Sequence, residues 1–200
     1  MAKINPQRIS GNWTEGFVLD VHTLSSTFLG YDEFGHERFD TKRSELGELL
    51  FRLKSRADES ALDDILQTVV EYLTKSWRIV ASLDLIIPMP PSNISRPSQP
   101  VLKLARGVSS RTGILVLEDA LVKIKETPQL KNVYDYHERT ELLKDAFRAE
   151  RSLVQGKSLL LLDDLYRSGA TMNEASRVLR ETGNAKMVYV LALTKTRSIR

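Results

Sequence analysis

The stretch Leu159-Leu160-Leu161-Leu162-Asp163-Asp164-Leu165-Tyr166-Arg167-Ser168-Gly169-Ala170-Thr171 decides how the rest of this chain is read. Four leucines in a row have no polar face, the pattern of a strand buried on both sides of a parallel sheet. Two aspartates follow where such a strand reaches the sheet edge, and open α/β sheets hold their ligands at that edge. There the carboxylates are expected to stand in water, because burying them would be costly. The turn of residues 167–171 contains Gly169, which tolerates conformations closed to other residues and lets the backbone come close to an anion. A helix opening near Thr171 adds unpaired N–H groups and the positive end of its dipole. The Ser168 and Thr171 hydroxyls add further donors. One end of this unit suits a phosphate and the other suits hydroxyls or a hydrated cation. The distance between them suits a sugar phosphate.

Outward from that stretch the texture is alternating β and α. Residues 83–87 form a short apolar strand that runs into Pro88-Met89-Pro90-Pro91-Ser92. Pro100 is placed to open a helix with Val101, Leu104, Ala105 and Val108 on one face, stopped near Gly113. Residues 114–117 and 120–124 are strand-like, a polar stretch covers 125–138, and a short helix is expected around 141–146. A helix over 171–182, closed by Gly183, and a last strand over 187–193 complete the pattern. Such alternation predicts an α/β fold with a mostly parallel, twisted sheet covered by helices on both faces.

Residues 1–80 are expected to form an N-terminal hood or appendage, and residues 81–200 the core. In the first part, 17–21 reads as a strand and 30–39 as a turn-rich hairpin region. Two amphipathic helices follow, with Leu46, Leu49, Leu50 and Leu53 in one and Leu62, Ile65, Leu66, Val69 and Leu73 in the other. Ser60, three residues before Asp63, reads as the cap of the second helix. Asp63-Asp64 in its first turn is a structural acidic pair that complements the helix dipole. It is a useful contrast to Asp163-Asp164, which ends a buried strand.

The bulk composition excludes several classes. There is no cysteine among the 200 residues, which removes disulfides, thiolate zinc sites and cysteine nucleophiles. Apolar and charged fractions of 42% and 28% are those of a globular chain. No apolar run is long enough to span a bilayer and residues 1–10 carry no secretory signal, so no membrane partner and a cytoplasmic location are expected. The net charge of +3 is interspersed with acids, except for Lys195, Arg197 and Arg200 close together. That pattern leaves a nucleic-acid partner weakly supported. Neither a P-loop nor a Gly-x-Gly-x-x-Gly motif occurs. His22, His36 and His137 are isolated, with no second ligand at helical or hairpin spacing.

Residues 159–171 resemble the phosphoribosyl-diphosphate (PRPP) signature of type I phosphoribosyltransferases: a hydrophobic strand, an acidic pair, then Ser-Gly-x-Thr. Lys125-Glu126-Thr127-Pro128-Gln129, Glu138-Arg139, Ala146-Phe147, Gly156-Lys157 and Ile87-Pro88-Met89-Pro90-Pro91-Ser92 narrow the similarity to the competence-associated ComF family, over residues 84–194. The resemblance implies a type I phosphoribosyltransferase-like fold. It places Asp163 and Asp164 at the ribose hydroxyls, with Mg²⁺ bridging ribose and diphosphate oxygens. Arg167, Ser168, Gly169, Ala170 and Thr171 would surround the 5′-phosphate. Met89, Pro90, Pro91 and Ser92 would take the diphosphate-loop position, joined by Lys125 and Arg139 from a flap over 123–139. In that flap Tyr134 and Tyr136 are placed to stack on a base.

The implied reaction is displacement of diphosphate from PRPP by an unidentified nucleophile; phosphoribosyltransferases are commonly dimers, so the resemblance allows a homodimer and leaves the oligomeric state open. The rival implication is a non-catalytic PRPP-sensing regulator or DNA-uptake adaptor on the same fold. A sugar-phosphate hydrolase is a third. Two departures from the family stand out. The ComF cysteine zinc module is absent, and Arg167 stands where purine-salvage enzymes carry an aspartate base. Arginine cannot accept a proton at neutral pH.

Overall fold

The computed structural model describes residues 1–91, 99–125 and 135–197. Its strands are β1 (Gln7–Ile9), β2 (Glu15–Val21), β3 (Thr23–Tyr31), β4 (Glu37–Arg43), β5 (Leu85–Pro88), β6 (Leu115–Val116), β7 (Leu121–Lys123), β8 (Phe147–Ala149), β9 (Ser158–Tyr166) and β10 (Met187–Lys195). Its α-helices are α1 (Glu45–Ser55), α2 (Ser60–Glu71), α3 (Pro100–Thr112), α4 (Tyr136–Leu143), α5 (Arg151–Val154) and α6 (Ala170–Glu181).

Six strands make one sheet in the order β1-β2-β10-β9-β5-β6, parallel throughout except for β1 at one edge. The leucine run lies at its centre. Leu159 pairs with Val188 and Leu85, and Leu161 with Val190 and Ile87. Residues 159–162 are all fully buried, and alternate side chains enter two different cores. Leu160 and Leu162 join Ile86, Leu191 and Leu193 beneath α1, α2 and α3. Leu159 and Leu161 join Ile87, Val188 and Val190 beneath α6 and the β7–β8 pair. A strand with two apolar faces is the only kind that can separate two such layers, so the expected mostly parallel α/β sandwich is what forms.

Residues 1–80 supply both β1 and β2 to this sheet, with β2 parallel to β10, and α1 and α2 to one of its faces. Of the strands in residues 1–80, β3 and β4 form a hairpin outside the sheet. The hairpin is longer than the region expected at 30–39 and turns through Gly35.

Helix ends show where local rules held. Pro100 is the first residue of α3, and Gly113 ends it in the left-handed conformation (φ 77°). Ser60 does not cap α2. Ser60 is the helix's first residue, Glu59 holds the N-cap position without a side-chain cap, and Asp58 accepts the Ser60 N–H at 3.0 Å. The acids after Ser60 are structural: Asp63 binds Arg111, and Asp64 binds the N-terminal amine at 2.7 Å. The short helix expected at 141–146 starts earlier, at Tyr136, because the Asp135 carboxylate accepts the Glu138 N–H at 2.8 Å.

Replacing one central leucine tests this arrangement. Leu161→Ala should cost about 3 kcal/mol of unfolding free energy, as large-to-small changes in packed cores do. Urea denaturation followed by circular dichroism measures it.

Candidate functional site

Parallel strands deliver their C-terminal ends to one edge, and there β9 carries Asp163 and Asp164 beyond its leucines. A cavity of about 270 Å³ opens beside them. Asp163, Asp164 and Leu165 form one wall, and Met89, Pro90 and Pro91, following β5, form another. Thr171 in the first turn of α6 and residues 99–102 at the start of α3 complete it. Two helix N-termini therefore meet the cavity, and neither has an acidic residue in its first turn. Each presents N–H groups that no helix carbonyl can reach.

Asp164 does not stand in water as the sequence suggested, and Asp163 is half-buried at the cavity wall. Asp164 is 9% exposed, and its Oδ2 holds the Lys54 ammonium at 2.7 Å. Asp163 accepts the Asp164 backbone N–H at 2.8 Å. Burial of its carboxyl, and then the neighbouring Asp164 charge, pushes the Asp163 pKa up to about 8. Lys54 reaches in from α1 and pairs with Asp164, which offsets the cost of burying that acid.

Below the pair, Thr194 donates to the Asp164 carbonyl at 3.2 Å, and His22 Nδ1 lies 3.1 Å from the same hydroxyl. Burial, followed by the charges of Lys54 and Arg43, holds His22 below its ordinary pKa.

The turn after β9 is built for close approach. Gly169 has φ 82°, and a Cβ on it would meet the Tyr166 hydroxyl at 2.5 Å. Ser168 lies beside it, with Arg139 Nη1 3.4 Å from its Oγ. Arg139, on α4, is only 4% exposed, and burial together with the Arg167 charge lowers its pKa. Two guanidinium groups thus crowd the same turn.

Of the residues singled out from sequence, Met89, Pro90, Pro91, Asp163, Asp164 and Thr171 line the cavity. Arg167, Ser168, Gly169 and Ala170 form the adjoining turn and helix start, joined by Arg139. Lys125 is not among the residues lining the cavity, and its Nζ donates to the Lys144 carbonyl at 3.4 Å. Ser92, Tyr134 and most of the flap over 123–139 fall outside the described residues. Tyr136 accepts from Asn173 Nδ2 at 3.3 Å. Lys54 and the start of α3 were missed. A lysine after a core leucine looks like any helix-surface lysine, and nothing local links Pro100 to β9.

Among the described residues no three His, Asp or Glu side chains gather to hold a metal ion. Asp164 already carries an ammonium. The acidic pair therefore does not fit a divalent cation held by protein atoms alone.

No protein-family model matches the chain, and no curated protein does. Solved structures with a related chain path include adenine phosphoribosyltransferase from Trypanosoma brucei in complex with AMP, pyrophosphate and ribose-5-phosphate. It is 12% identical, with a TM-score of 0.49, over 96% of this chain and 75% of that one. Glutamine PRPP amidotransferase from B. subtilis is 18% identical with a TM-score of 0.49; the match covers 80% of this chain but only 34% of that one. Orotate phosphoribosyltransferase from Aeropyrum pernix is 16% identical with a TM-score of 0.44, over 87% and 76%. The chain thus spans about a third of the amidotransferase. At these identities and scores the neighbours do not assign the chain to a family, and the cavity itself carries the functional reading.

The raised Asp163 pKa has a measurable sign. The folded protein keeps this proton up to about pH 8, whereas the unfolded chain releases it near pH 4, at roughly the ordinary aspartate value. Stability therefore falls as pH rises between those limits. Thermal melts of the ligand-free protein across this range should show that fall, and Asp163→Asn should flatten it.

Proposed function

We propose that this protein binds PRPP and transfers its phosphoribosyl group to an acceptor. The observation that carries the reading is the cavity's polarity. One end is an acidic pair at a strand terminus, and the others are two acid-free helix N-termini. A pentose with a phosphate at C5 and a diphosphate at C1 has that distribution of hydroxyls and anions.

In this reading the turn of residues 167–171 and the α6 N-terminus hold the 5′-phosphate. Arg139, which the sequence resemblance put at the diphosphate, sits beside Ser168 and so belongs with the 5′-phosphate. A phosphate would relieve the repulsion between Arg139 and Arg167. Met89, Pro90 and Pro91 with the α3 N-terminus face the diphosphate, and Ser92 extends that loop in sequence. Asp163 and Asp164 face the ribose hydroxyls. A protonated Asp163 can both donate to and accept from a hydroxyl. Mg²⁺ chelated by the diphosphate's own oxygens enters as part of the substrate.

Cleavage of the C1–O bond builds positive charge on the sugar and negative charge on the departing diphosphate. Donors fixed at the α3 N-terminus stabilise the latter without reorganising. The bond to the incoming nucleophile forms at C1 as the diphosphate leaves. The β3–β4 hairpin begins where β2 ends, at the same edge, with Phe28, Tyr31 and Phe39 exposed. In this reading the hairpin is the hood over the acceptor, while the rest of residues 1–80 packs into the core with residues 81–200.

The similarity of residues 84–194 to the ComF family favours a role linked to DNA uptake. Arg167, at the position before Ser168-Gly169, supplies no general base, and that favours the second reading of a regulator that senses PRPP without turnover. Among the described residues no helix is long and apolar enough to cross a membrane.

Diphosphate release from Mg-PRPP with a panel of bases, amines and nucleosides separates catalysis from sensing. Arg139→Met should weaken ribose 5-phosphate binding about tenfold or more, the usual loss for a hydrogen bond to a charged group. Calorimetry checks it, and unchanged affinity would remove Arg139 from the phosphate site.

A further inference from the structure

The acidic end of the cavity already contains a cation. Lys54 occupies the last turn of α1, where a positive side chain complements the helix dipole. Its helix is anchored through Leu46, Leu50 and Leu53, none of them more than 1% exposed, and capped by Ser44, whose hydroxyl accepts the Gly47 N–H at 3.0 Å. A lysine on so fixed a support is not a roaming surface charge. Its side chain is 25% exposed, and that of Asp164, 2.7 Å away, is 12% exposed. At this depth an ion pair is poorly screened, and removing one partner strands the other.

Lys54 also stands between two spaces. One is the cavity already described; the other, of about 220 Å³, is lined by His22, Phe51, Ser55 and Thr194 and shares Lys54 and Asp164 with it. The pair is therefore a partition with both of its charged groups facing open volume. An ammonium offers three donors and a carboxylate several acceptor sites. Together they match the donor and acceptor needs of a vicinal diol. A divalent cation seated on Asp164 would have to displace this ammonium or lie against it.

We propose that Lys54 is the resident cation of the ribose end, so that the vicinal hydroxyls of a phosphorylated pentose are recognised by a lysine–aspartate pair and need no divalent metal. The inference rests on the sugar-phosphate reading of the cavity and deepens it. It makes Lys54 a specificity-determining residue: the pair selects a cis-diol sugar, and metal dependence is confined to the diphosphate.

Calorimetric titration with ribose 5-phosphate, which has no diphosphate, tests it in EDTA and in millimolar Mg²⁺. The wild-type dissociation constant should agree between the two buffers within about threefold, while Lys54→Met should lose about tenfold or more in EDTA, the scale of one charged hydrogen bond. Mg²⁺ should restore much of that loss, since the variant leaves an unpartnered acidic pair. Lys54→Arg, which keeps the charge, should bind in EDTA much as wild type does, and thermal melts confirm that each variant is folded. Wild-type binding that collapses in EDTA overturns the proposal and leaves the sugar-phosphate reading intact. So does a folded Lys54→Met that binds normally in EDTA. No binding of wild type in either buffer removes both.

Discussion

Everything at the functional edge depends on β9 being clamped between β10 and β5. Both neighbours pair with it in parallel, and every leucine from 159 to 162 is fully buried. Each such side chain contributes roughly 2 kcal/mol by leaving water. The alternation of the strand sends two leucines into each of two cores. That clamp sets where the chain emerges, and the next two residues are Asp163 and Asp164. A one-residue slip would exchange the two cores and turn both carboxylates to the wrong faces.

The same alternation divides the labour between the acids. Asp164 follows Leu160 and Leu162 towards α1 and meets Lys54. Asp163 follows Leu159 and Leu161 towards α6, where burial and the Asp164 charge raise its pKa. Two adjacent residues of one type thus meet different surroundings, because the sheet turns them to opposite faces. The anion end follows the opposite logic. Arg139 and Arg167 sit together at Ser168, and the adjoining helix has no acid in its first turn. A protein tolerates such asymmetry where a ligand completes it.

Much of this was legible in the chain. The leucine run admits one reading, and Pro100 and Gly113 mark α3 because their backbone restrictions are local. What was not legible is long-range. That Gly16 lies beside Val190 leaves no trace in either segment, so β2's place in the sheet could not be read. The burial of the acids was misjudged for the same reason: Lys54 lies far from Asp164 in sequence. As text, Lys54 looks no different from Lys75, which merely pairs with Glu71 on an exposed helix face. The three-residue strand β8 carries too few residues for any periodicity.

The order of the sheet also bears on how the molecule is made. β10, which lies between β2 and β9, is the final described strand to leave the ribosome. Until it arrives, β2 and β9 face each other across a gap with unsatisfied backbone edges, one of them belonging to the most apolar strand in the chain. Open edges of that kind recruit other strands, including those of neighbouring nascent chains. The sheet can close only after synthesis of β10, so the central strand gains its second neighbour late.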